Sequence, residues 1–460
     1  MENLTAREWA VREFRGARLG HGARTKRVIE IAARLKEHPE VSIPKSSPSW
    51  ATTRATYRFA SNPEVSHAGV MAGPVAATVD RIRSQKRVLV IQDTTHLSFG
   101  GERASATLGP VGAGDTSRGF LAHTALVVGA DRAPLGVLAQ EVWARTGPRK
   151  PTKESARSRK KRPRESEKWG KVATSVESAL ASLGTERPSI VQVFDAEGDA
   201  FEIFEALRDL GHGFVIRAAH ERLLDPDEDQ PEYLSESIST SPVQGQADLP
   251  IPARPGRAAR IARLDVRSAA VCIQPPRNRR RIGEPIDLTI VHLMESKPPL
   301  GVDPICWVLY TTESVDTFDD CVSVVSDYAS RWLIEEFHMA LKTGCAMEDR
   351  QLQSFESLSV LLAIVNPIAV SLLGMRHFAR ACPETPADTW LTPMQLKAIR
   401  ILRPKISSNP SVREAIRTIA SIGGFLGRKG DGEPGWRTIW SGFRDVLMIA
   451  NAFEAAEKSG

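Results

Sequence analysis

Apolar residues along this chain recur first at helical spacing and then in short continuous runs. Within the first 75 residues, ARTKRVIEIAARLKEH from Ala23 and TRATYRFASNP from Thr53 carry apolar positions at helical spacing, which predicts helices. From Arg87 onward the apolar stretches have the length of strands, and helical patterns lie between the later ones. The predicted order is βββαβαβ, with strands at 87–93, 121–130, 134–144, 189–195 and 213–219 and helices at 169–183 and 199–211.

The pattern changes twice more toward the C-terminus. Residues 221–302 are rich in Pro, Arg, Ser and Asp and alternate in short runs such as RIARLDVRSAAVCI, which predicts an inserted antiparallel β region. The strand ICWVLYTT then resumes the main fold, and the chain is helical after Met375. The predicted fold class is α/β, with a core domain at 76–375 flanked by helical domains at 1–75 and 376–460.

No segment of the sequence predicts a membrane protein or a structural zinc site. The longest apolar run, from Val360 to Met375, is interrupted by Asn366 and Pro367 and is shorter than a clean membrane span, so a buried core helix is expected. The first 20 residues lack the apolar segment of a signal peptide. The five cysteines are scattered without CxxC spacing, which is typical of a reduced cytoplasmic protein.

The stretch DYASRWLIEEFHMALKTG, residues 327–344, predicts one amphipathic helix with an unusual polar face. At 100° per residue its polar side chains Tyr328, Arg331, Glu335 and Lys342 share a narrow stripe. The opposite face, expected to be buried, consists of Leu333, Ile334, Phe337, Ala340 and Leu341, and Glu336 lies off both faces. A solvated face with an ordinary Arg331–Glu335 pair, worth about 0.3–0.5 kcal/mol, would give the same pattern.

Positive charge is concentrated in one segment. The chain carries a net charge of +6, whereas residues 145–171 alone hold twelve Lys or Arg and three Glu, a net of +9. Such a block, rich in Pro and Ser, predicts a surface loop whose partner is a phosphate backbone, although a solvated linker without a ligand would look similar. Arg277, Arg279, Arg280 and Arg281 repeat the indication more weakly.

Three carboxylates are placed where a metal site could form. Asp93 and Asp195 each follow an apolar strand, the position at which open α/β sheets build sites, and Glu335 lies on the later helix. Together they could hold two hard divalent cations for phosphoryl transfer on DNA, with no side chain acting as nucleophile. Taken singly, Asp93 and Asp195 could equally be caps of the segments that follow them.

These residues, in this order, resemble the IS4 family of DDE transposases, in particular its Tn5-like members. The family signature of Tyr, two residues, Arg, three residues, Glu, six residues and Lys is met by Tyr328, Arg331, Glu335 and Lys342. The segments IQDTT, DTSRG with a histidine after it, VFDAEGD and FVIRAAH also match in order. ARLG and YRFASNP near the start, and GGF with a tryptophan-rich tail near the end, extend the likeness over nearly the whole chain.

The resemblance implies an RNase H-like core and a role for each matching residue. Asp93, Asp195 and Glu335 would be catalytic metal ligands, with two Mg²⁺ ions expected and Mn²⁺ as a substitute. The implied contacts to DNA phosphates and bases come from Tyr328, Arg331, Lys342, Trp307, Trp332, Arg118, His123, Arg217, Arg24, Arg27 and Arg58.

Within that set the tryptophans and three polar residues have alternatives. Trp307 and Trp332 would stack on a displaced base, although Trp307 alone reads as a core residue. Arg118, His123 and Arg217 would be active-site or DNA-backbone contacts, with ordinary surface pairing as the alternative.

Two positions depart from the family pattern. Ala196 and Met339 stand where relatives can carry basic residues, so some DNA contacts are expected to be missing or moved. The basic block at 145–171 could offset that loss.

The function implied by the resemblance is cut-and-paste transposition through a hairpin intermediate, with strand transfer into target DNA. The partners would be transposon ends, target DNA and a second copy of the chain in a synaptic complex, and the location the bacterial cytoplasm, at the nucleoid. Two alternatives are a catalytically silent DNA-binding inhibitor and a nuclease on the same core without strand transfer. Joining of cut ends to a second DNA distinguishes the alternatives.

Overall fold

The computed structural model describes residues 4–100, 107–112, 117–146, 165–225, 231–251, 260–276, 283–428 and 430–459. Residues 147–164, which make up most of the basic block, lie outside the described residues. The same holds for the cluster that contains Arg277, Arg279, Arg280 and Arg281 and for the first two residues of the DTSRG segment. The expectations made for those segments therefore stay predictions.

One large mixed sheet forms the centre of the described structure. Its strands are β1 (Arg87–Phe99), β2 (Gly109–Val111), β3 (Ser117–Gly129), β4 (Pro134–Trp143), β5 (Ser189–Phe194), β6 (Gly213–Arg217), β7 (Gly245–Ile251), β8 (Arg260–Ile273), β9 (Ile286–Glu295) and β10 (Cys306–Thr311). The order across the sheet is β2-β3-β1-β5-β6-β10-β9-β8-β7, and β4 pairs with β3. The α/β class and the strand, helix, strand order expected from the apolar runs are confirmed, and the topology is consistent with an RNase H-like core.

Two crossover helices complete this core. Helix α6 (Lys168–Leu180) leads into β5, and α7 (Phe201–Asp209) connects β5 to its parallel neighbour β6. Both helices bury an apolar face, because Val172, Val176, Phe204 and Leu207 recur at helical spacing and are almost fully excluded from solvent. The carboxyl ends of β1, β5 and β6 consequently open at one edge of the sheet.

The expected end of the first strand at Asp93 is wrong. Strand β1 pairs in parallel with β5 only from Arg87 to Ile91, but its antiparallel pairing with β3 continues to Phe99. The apolar run stops at Asp93 because one edge of the strand loses its neighbour there, while the other edge keeps its hydrogen bonds. Asp93 therefore lies where β1 separates from β5.

The inserted β region expected from the sequence is confirmed. Strands β7, β8 and β9 pair antiparallel with one another, and β9 pairs antiparallel with β10, so the insertion extends the central sheet. Leu264, Val266, Leu288 and Ile290 lie on its buried positions, and polar residues alternate with several of them. A short helix, α8 (Leu234–Thr240), lies within the inserted region and precedes its strands.

Short helices pack together at the N-terminus. They are α1 (Ala6–Phe14), α2 (Gly22–Glu37), α3 (Ile43–Ser46), α4 (Trp50–Ala60) and α5 (His67–Ile82). Side-chain caps start four of them. Thr5 forms a capping box with Glu8, and His21, Ser49 and Ser66 accept backbone hydrogen bonds at the starts of α2, α4 and α5. The helices expected around residues 23–38 and 53–63 are confirmed.

A long apolar helix lies at the centre of the packing between the N-terminal helices, the sheet and the C-terminal helices. Helix α11 (Phe355–Ala381) is long and apolar enough to cross a membrane by length and composition, but 89% of its most apolar window is buried inside the protein. It contacts α2, α4, α5, β4 and the two C-terminal helices Val412–Ile422 and Trp436–Ser459. The interpretation of the run from Val360 as a core helix is thus confirmed.

The C-terminal helices are α12 (Pro393–Leu402), α13 (Val412–Ile422) and α14 (Trp436–Ser459). Helices α13 and α14 approach so closely that a Cβ atom on Gly442 would lie 1.7 Å from the carbonyl oxygen of Ile419. A Cβ atom on Gly423, the first residue of the GGF segment, would lie 2.1 Å from the carbonyl oxygen of Thr438. Only glycine fits at both positions of this contact.

Candidate active site

Three carboxylates come from three different elements at the edge where β1 and β5 diverge. On Asp93 the Oδ1 atom accepts a hydrogen bond of 2.7 Å from the amide of Thr94. Asp195 directly follows β5, and its Oδ1 atom accepts a hydrogen bond of 2.9 Å from the amide of Glu197, so it caps the turn Ala196–Gly198. The third carboxylate, Glu335, lies on α10 (Trp332–Met339), a helix that contacts β1.

The three carboxylates share one electrostatic environment. Burial raises the pKa of Asp93 from 3.8 to about 6, and the negative charges of Asp195 and Glu335 push the pKa in the same direction. Burial likewise raises the pKa of Asp195. Two partly buried carboxylates beside the negative charge of a third, half-buried one are a suitable donor set for a hard divalent cation.

Arg331 stands between these carboxylates. The guanidinium Nη2 donates to Oε1 of Glu335 at 2.6 Å, and Nη1 lies 3.9 Å from Oδ2 of Asp93. Its positive charge also lowers the pKa of Asp195 against the effect of burial. In the conformation described, no group of three His, Cys, Asp or Glu side chains within the described ranges is close enough to hold a metal ion. The donor chemistry therefore fits a divalent cation, but the guanidinium lies among the oxygens that would bind it.

The expectation of a single helix over residues 327–344 is wrong. Helix α9 (Phe318–Ala329) ends before Ser330, and α10 begins at Trp332, with Arg331 in the turn between them. A π-helical turn, Ala340–Gly344, follows α10. The regular 100° rotation is interrupted twice, and this is why Leu333 is only half-buried. The burial expected for Ile334, Phe337, Ala340 and Leu341 is confirmed.

Because of these breaks, the four signature side chains differ in exposure. Tyr328 is buried, with 5% of its surface exposed, whereas Arg331, Glu335 and Lys342 are half-buried. On the π-helical turn, Nζ of Lys342 lies 3.9 Å from Oε1 of Glu348. Arg331 and Lys342 thus keep part of their side chains accessible to solvent, whereas Tyr328 is almost fully buried.

Tyr328 belongs to an aromatic and basic cluster beside the carboxylates. Its ring packs edge to face on Trp307 of β10, with centroids 5.3 Å apart. Burial raises the pKa of the Tyr328 hydroxyl, which is hydrogen-bonded to Arg217 at the end of β6. Trp307 is partly buried, as its core alternative predicted, whereas Trp332 is 46% exposed next to the Arg331 guanidinium. Trp332 is the better placed of the two for stacking on a base.

His123 lies in the interior beside Asp93, so in this conformation the structure agrees with a place at the active site and leaves its side chain no surface for the alternative contact with the DNA backbone. The side chain is 0% exposed, and its ring nitrogens are hydrogen-bonded to Thr94 at 2.8 Å and to Gln92 at 2.9 Å. Burial lowers its pKa well below the usual value, so the imidazole is neutral. His123 instead holds the side chain of Thr94, the residue that follows Asp93. Arg118, in contrast, is exposed at the start of β3.

The two positions that depart from the family pattern lie close to the carboxylates. Ala196 follows Asp195 in the capped turn, and Met339 ends α10. Both side chains are half-buried.

Arg24, Arg27 and Arg58 line one groove between α2 and α4. The groove has a volume of about 540 Å³, and the exposed Arg54 and Trp50 extend it, with Trp50 66% exposed. The sequence placed Arg54 on the helix that is now α4, but Trp50, which begins that helix, was not predicted as a candidate. The signal available was the N-cap serine, Ser49, which fixes Trp50 in the first turn and so at the rim. A basic groove with an exposed aromatic ring is suited to bind a nucleic acid.

We expect Asp93→Asn to raise the stability of the metal-free protein. The native pKa of about 6 lies above 3.8, so the stabilising effect of this group is complete below about pH 4 and is lost as pH rises through 6. At pH 7.5 the substitution should increase the free energy of unfolding by about 2–3 kcal/mol. Urea unfolding in chelator at pH 4.5 and 7.5 measures this difference. A stabilisation that is equal at both pH values would contradict the assignment.

Two family models match the chain, one at each end. Residues 6–65 match the model described as Transposase DNA-binding, and residues 368–459 match the model described as Transposase Tn5 dimerisation domain. Both models describe parts of transposases, so the chain is a transposase. The two matches together support a Tn5/IS4-like transposase. DNA and a second copy of the chain are accordingly its partners, and proteins of this kind generally depend on a divalent metal. The carboxylates and the signature residues lie between the two matches.

Proposed function

We propose that this transposase performs cut-and-paste excision and strand transfer, with Asp93, Asp195 and Glu335 as its metal ligands. The observation that carries the proposal is the convergence of the three carboxylates at one half-buried edge, where burial and mutual repulsion raise the pKa of Asp93. Retaining such a group in the interior lowers stability unless a cation compensates it. Two Mg²⁺ ions, replaceable by Mn²⁺, are the expected cofactors.

The chain's own residues would position the DNA at this edge. Divalent ions, when bound, activate the attacking oxygen and stabilise the leaving oxygen at a phosphodiester. Three basic side chains, Arg331, Lys342 and Arg217, would hold phosphates on either side of the cut. Tyr328 would hold the Arg217 side chain in place through their hydrogen bond. Trp332 would stack on a base displaced from the end. Water would cleave one strand, and the freed 3′-hydroxyl would attack the opposite strand to form a hairpin and release the flanking DNA. A second water would reopen the hairpin and restore the 3′-hydroxyl, which would then attack a phosphodiester of the target DNA.

The remaining parts of the chain would recognise the ends and pair them. We assign residues 1–75 to end recognition through the groove of α2 and α4, residues 76–375 to catalysis, and residues 376–460 to dimerisation in a synaptic complex. Phosphate contacts would position each end, and a few base contacts from the groove would specify its sequence. This activity would take place in the bacterial cytoplasm, at the nucleoid.

The test is an assay of labelled DNA that carries the element's own ends. In Mg²⁺ we expect nicked, hairpin and strand-transfer products, and we expect none of them in chelator. Tight binding of the ends without cleavage in Mg²⁺ or Mn²⁺ would favour a silent inhibitor. Cleavage without joining to a second DNA would favour a simple nuclease.

For the groove, we expect Arg58→Gln to weaken binding of the end and to flatten its dependence on salt. Removing one phosphate contact should lower the slope of log K against log salt by about 1. Arg15→Gln is the matched control, because Arg15 is an exposed arginine of the same helical region that lies outside the groove and pairs with Asp80. Fluorescence anisotropy from 50 to 300 mM salt measures the slopes. Equal slopes for the two variants would exclude Arg58 from the interface.

A further inference from the structure

Arg331 makes the contacts that a bound cation would make. Its guanidinium donates to Oε1 of Glu335 at 2.6 Å and lies 3.9 Å from Oδ2 of Asp93, and its charge acts on Asp195 as well. Only 16% of the Arg331 side chain is exposed, and its guanidinium carbon lies 5.8 Å from the centre of the Trp332 ring. One largely buried guanidinium therefore pairs with two of the carboxylates, Asp93 and Glu335, and acts on the third, Asp195, through its charge.

Arg331 lies at a break between two helices. It occupies the turn between α9 and α10, and no side-chain cap fixes the start of α10. A phosphate oxygen offers the guanidinium a hydrogen-bonding geometry equivalent to that of a carboxylate. Exchanging one acceptor for the other therefore costs little, whereas leaving the guanidinium without an acceptor would be expensive.

We propose that Arg331 is a placeholder for the metal and couples metal binding to DNA binding. In the DNA-free protein the guanidinium competes with the divalent cation for the oxygens of Asp93 and Glu335. When a transposon end binds, the guanidinium pairs with a DNA phosphate, and the carboxylate oxygens that it leaves are free to bind the cation. The proposal rests on the proposed role of the three carboxylates as ligands, and it adds a second role to the phosphate contact assigned to Arg331.

The coupling must act in both directions. If DNA raises the affinity for the cation by some factor, the cation raises the affinity for DNA by the same factor. A transposase built in this way holds its cation only when an end is in place. It would thus be protected from cutting DNA at random while it searches.

The measurement is Mn²⁺ binding by the full chain, followed by electron paramagnetic resonance or calorimetry, without DNA and with a duplex that carries the element's end. For the wild type we expect weak binding without DNA and binding about tenfold or more tighter with it. Arg331→Gln and Arg331→Ala should bind Mn²⁺ about tenfold more tightly than the wild type without DNA, and the gain on adding DNA should shrink accordingly.

Lys342→Gln is the matched control. It removes the same charge from a neighbouring residue with the same expected contact to DNA, but Lys342 pairs with Glu348 instead of with the three carboxylates. This variant should lose DNA affinity without gaining Mn²⁺ affinity in the free protein. Circular dichroism and thermal melting establish that each variant is folded.

The outcomes separate the two proposals. If Mn²⁺ binding with DNA present persists in Asp93→Asn and Glu335→Gln, the carboxylates are not the ligands and the proposed function fails. If binding depends on those carboxylates but neither Arg331 variant binds Mn²⁺ more tightly than the wild type without DNA, only the placeholder role is overturned. An equal gain in Lys342→Gln would also overturn it, since general charge removal would then explain the effect.

Discussion

Glu335→Gln should abolish strand cleavage while Glu336→Gln leaves most of it intact. Removing one of the three proposed metal ligands is expected to lower the cleavage rate by about a thousandfold or more, equivalent to about 4 kcal/mol of transition-state stabilisation. Glu336 points elsewhere, since it forms an ion pair with Arg376 of α11 and both side chains are largely buried. Glu336 is therefore a matched control, because it carries the same side chain as Glu335 but faces Arg376 instead of the other two carboxylates.

The choice of glutamine matters for this comparison. An alanine at position 336 would leave the buried Arg376 guanidinium without its carboxylate and would lower stability, which would confuse the reading of activity. Glutamine keeps a hydrogen-bond acceptor for Arg376. Single-turnover cleavage in Mg²⁺, measured on a labelled end, gives both rates. Cleavage by Glu335→Gln at a rate close to that of the wild type would remove Glu335 from the site.

The second large effect concerns Arg350, which joins the N-terminal helices to the core. Its guanidinium donates to the carbonyl oxygens of Val41 at 2.6 Å and Cys345 at 2.7 Å, and also to that of Pro39. The residue is 6% exposed. Arg350→Met should lower the free energy of unfolding by about 3 kcal/mol, because buried carbonyl groups are left without a donor.

Arg350→Lys should recover only a minor part of that loss, because one ammonium group cannot reach carbonyls on both segments. As a control, Arg400→Met removes an exposed arginine that donates to the carbonyl of Ser408, and it should change stability by no more than about 0.5 kcal/mol. Urea unfolding measures all three variants. A loss below 1 kcal/mol for Arg350→Met would mean that the two parts are held together by other contacts.

The sequence predicted the structure best where the spacing of apolar residues alone determines the element. The apolar runs predicted the core strands and their order, and the position of Asp195 directly after β5 followed from them. Helices α2 and α4 were predictable because their apolar spacing and their caps agree. The buried character of α11 followed from Asn366 and Pro367, which interrupt an otherwise membrane-like run.

Contacts between distant segments could not be predicted in this way. The extension of β1 to Phe99 depends on β3, and the break at Arg331 depends on how α9 and α10 pack. No periodicity relates Glu336 to Arg376, or Arg350 to the loop after α2. The role of Arg331 among the carboxylates also required the structure, because spacing alone predicted only an ordinary pair with Glu335.

The position of α11 has a consequence for modularity. In the proposed division the chain has a part for end recognition, a part for catalysis and a part for dimerisation. All three meet at this one helix, which contacts α2 and α4, the sheet through β4, and the C-terminal helices α13 and α14. An exchange of the part for end recognition between related elements would succeed only if the incoming helices keep the surface that fits α11. New end specificity is therefore more accessible through changes in the groove between α2 and α4 than through replacement of the whole part.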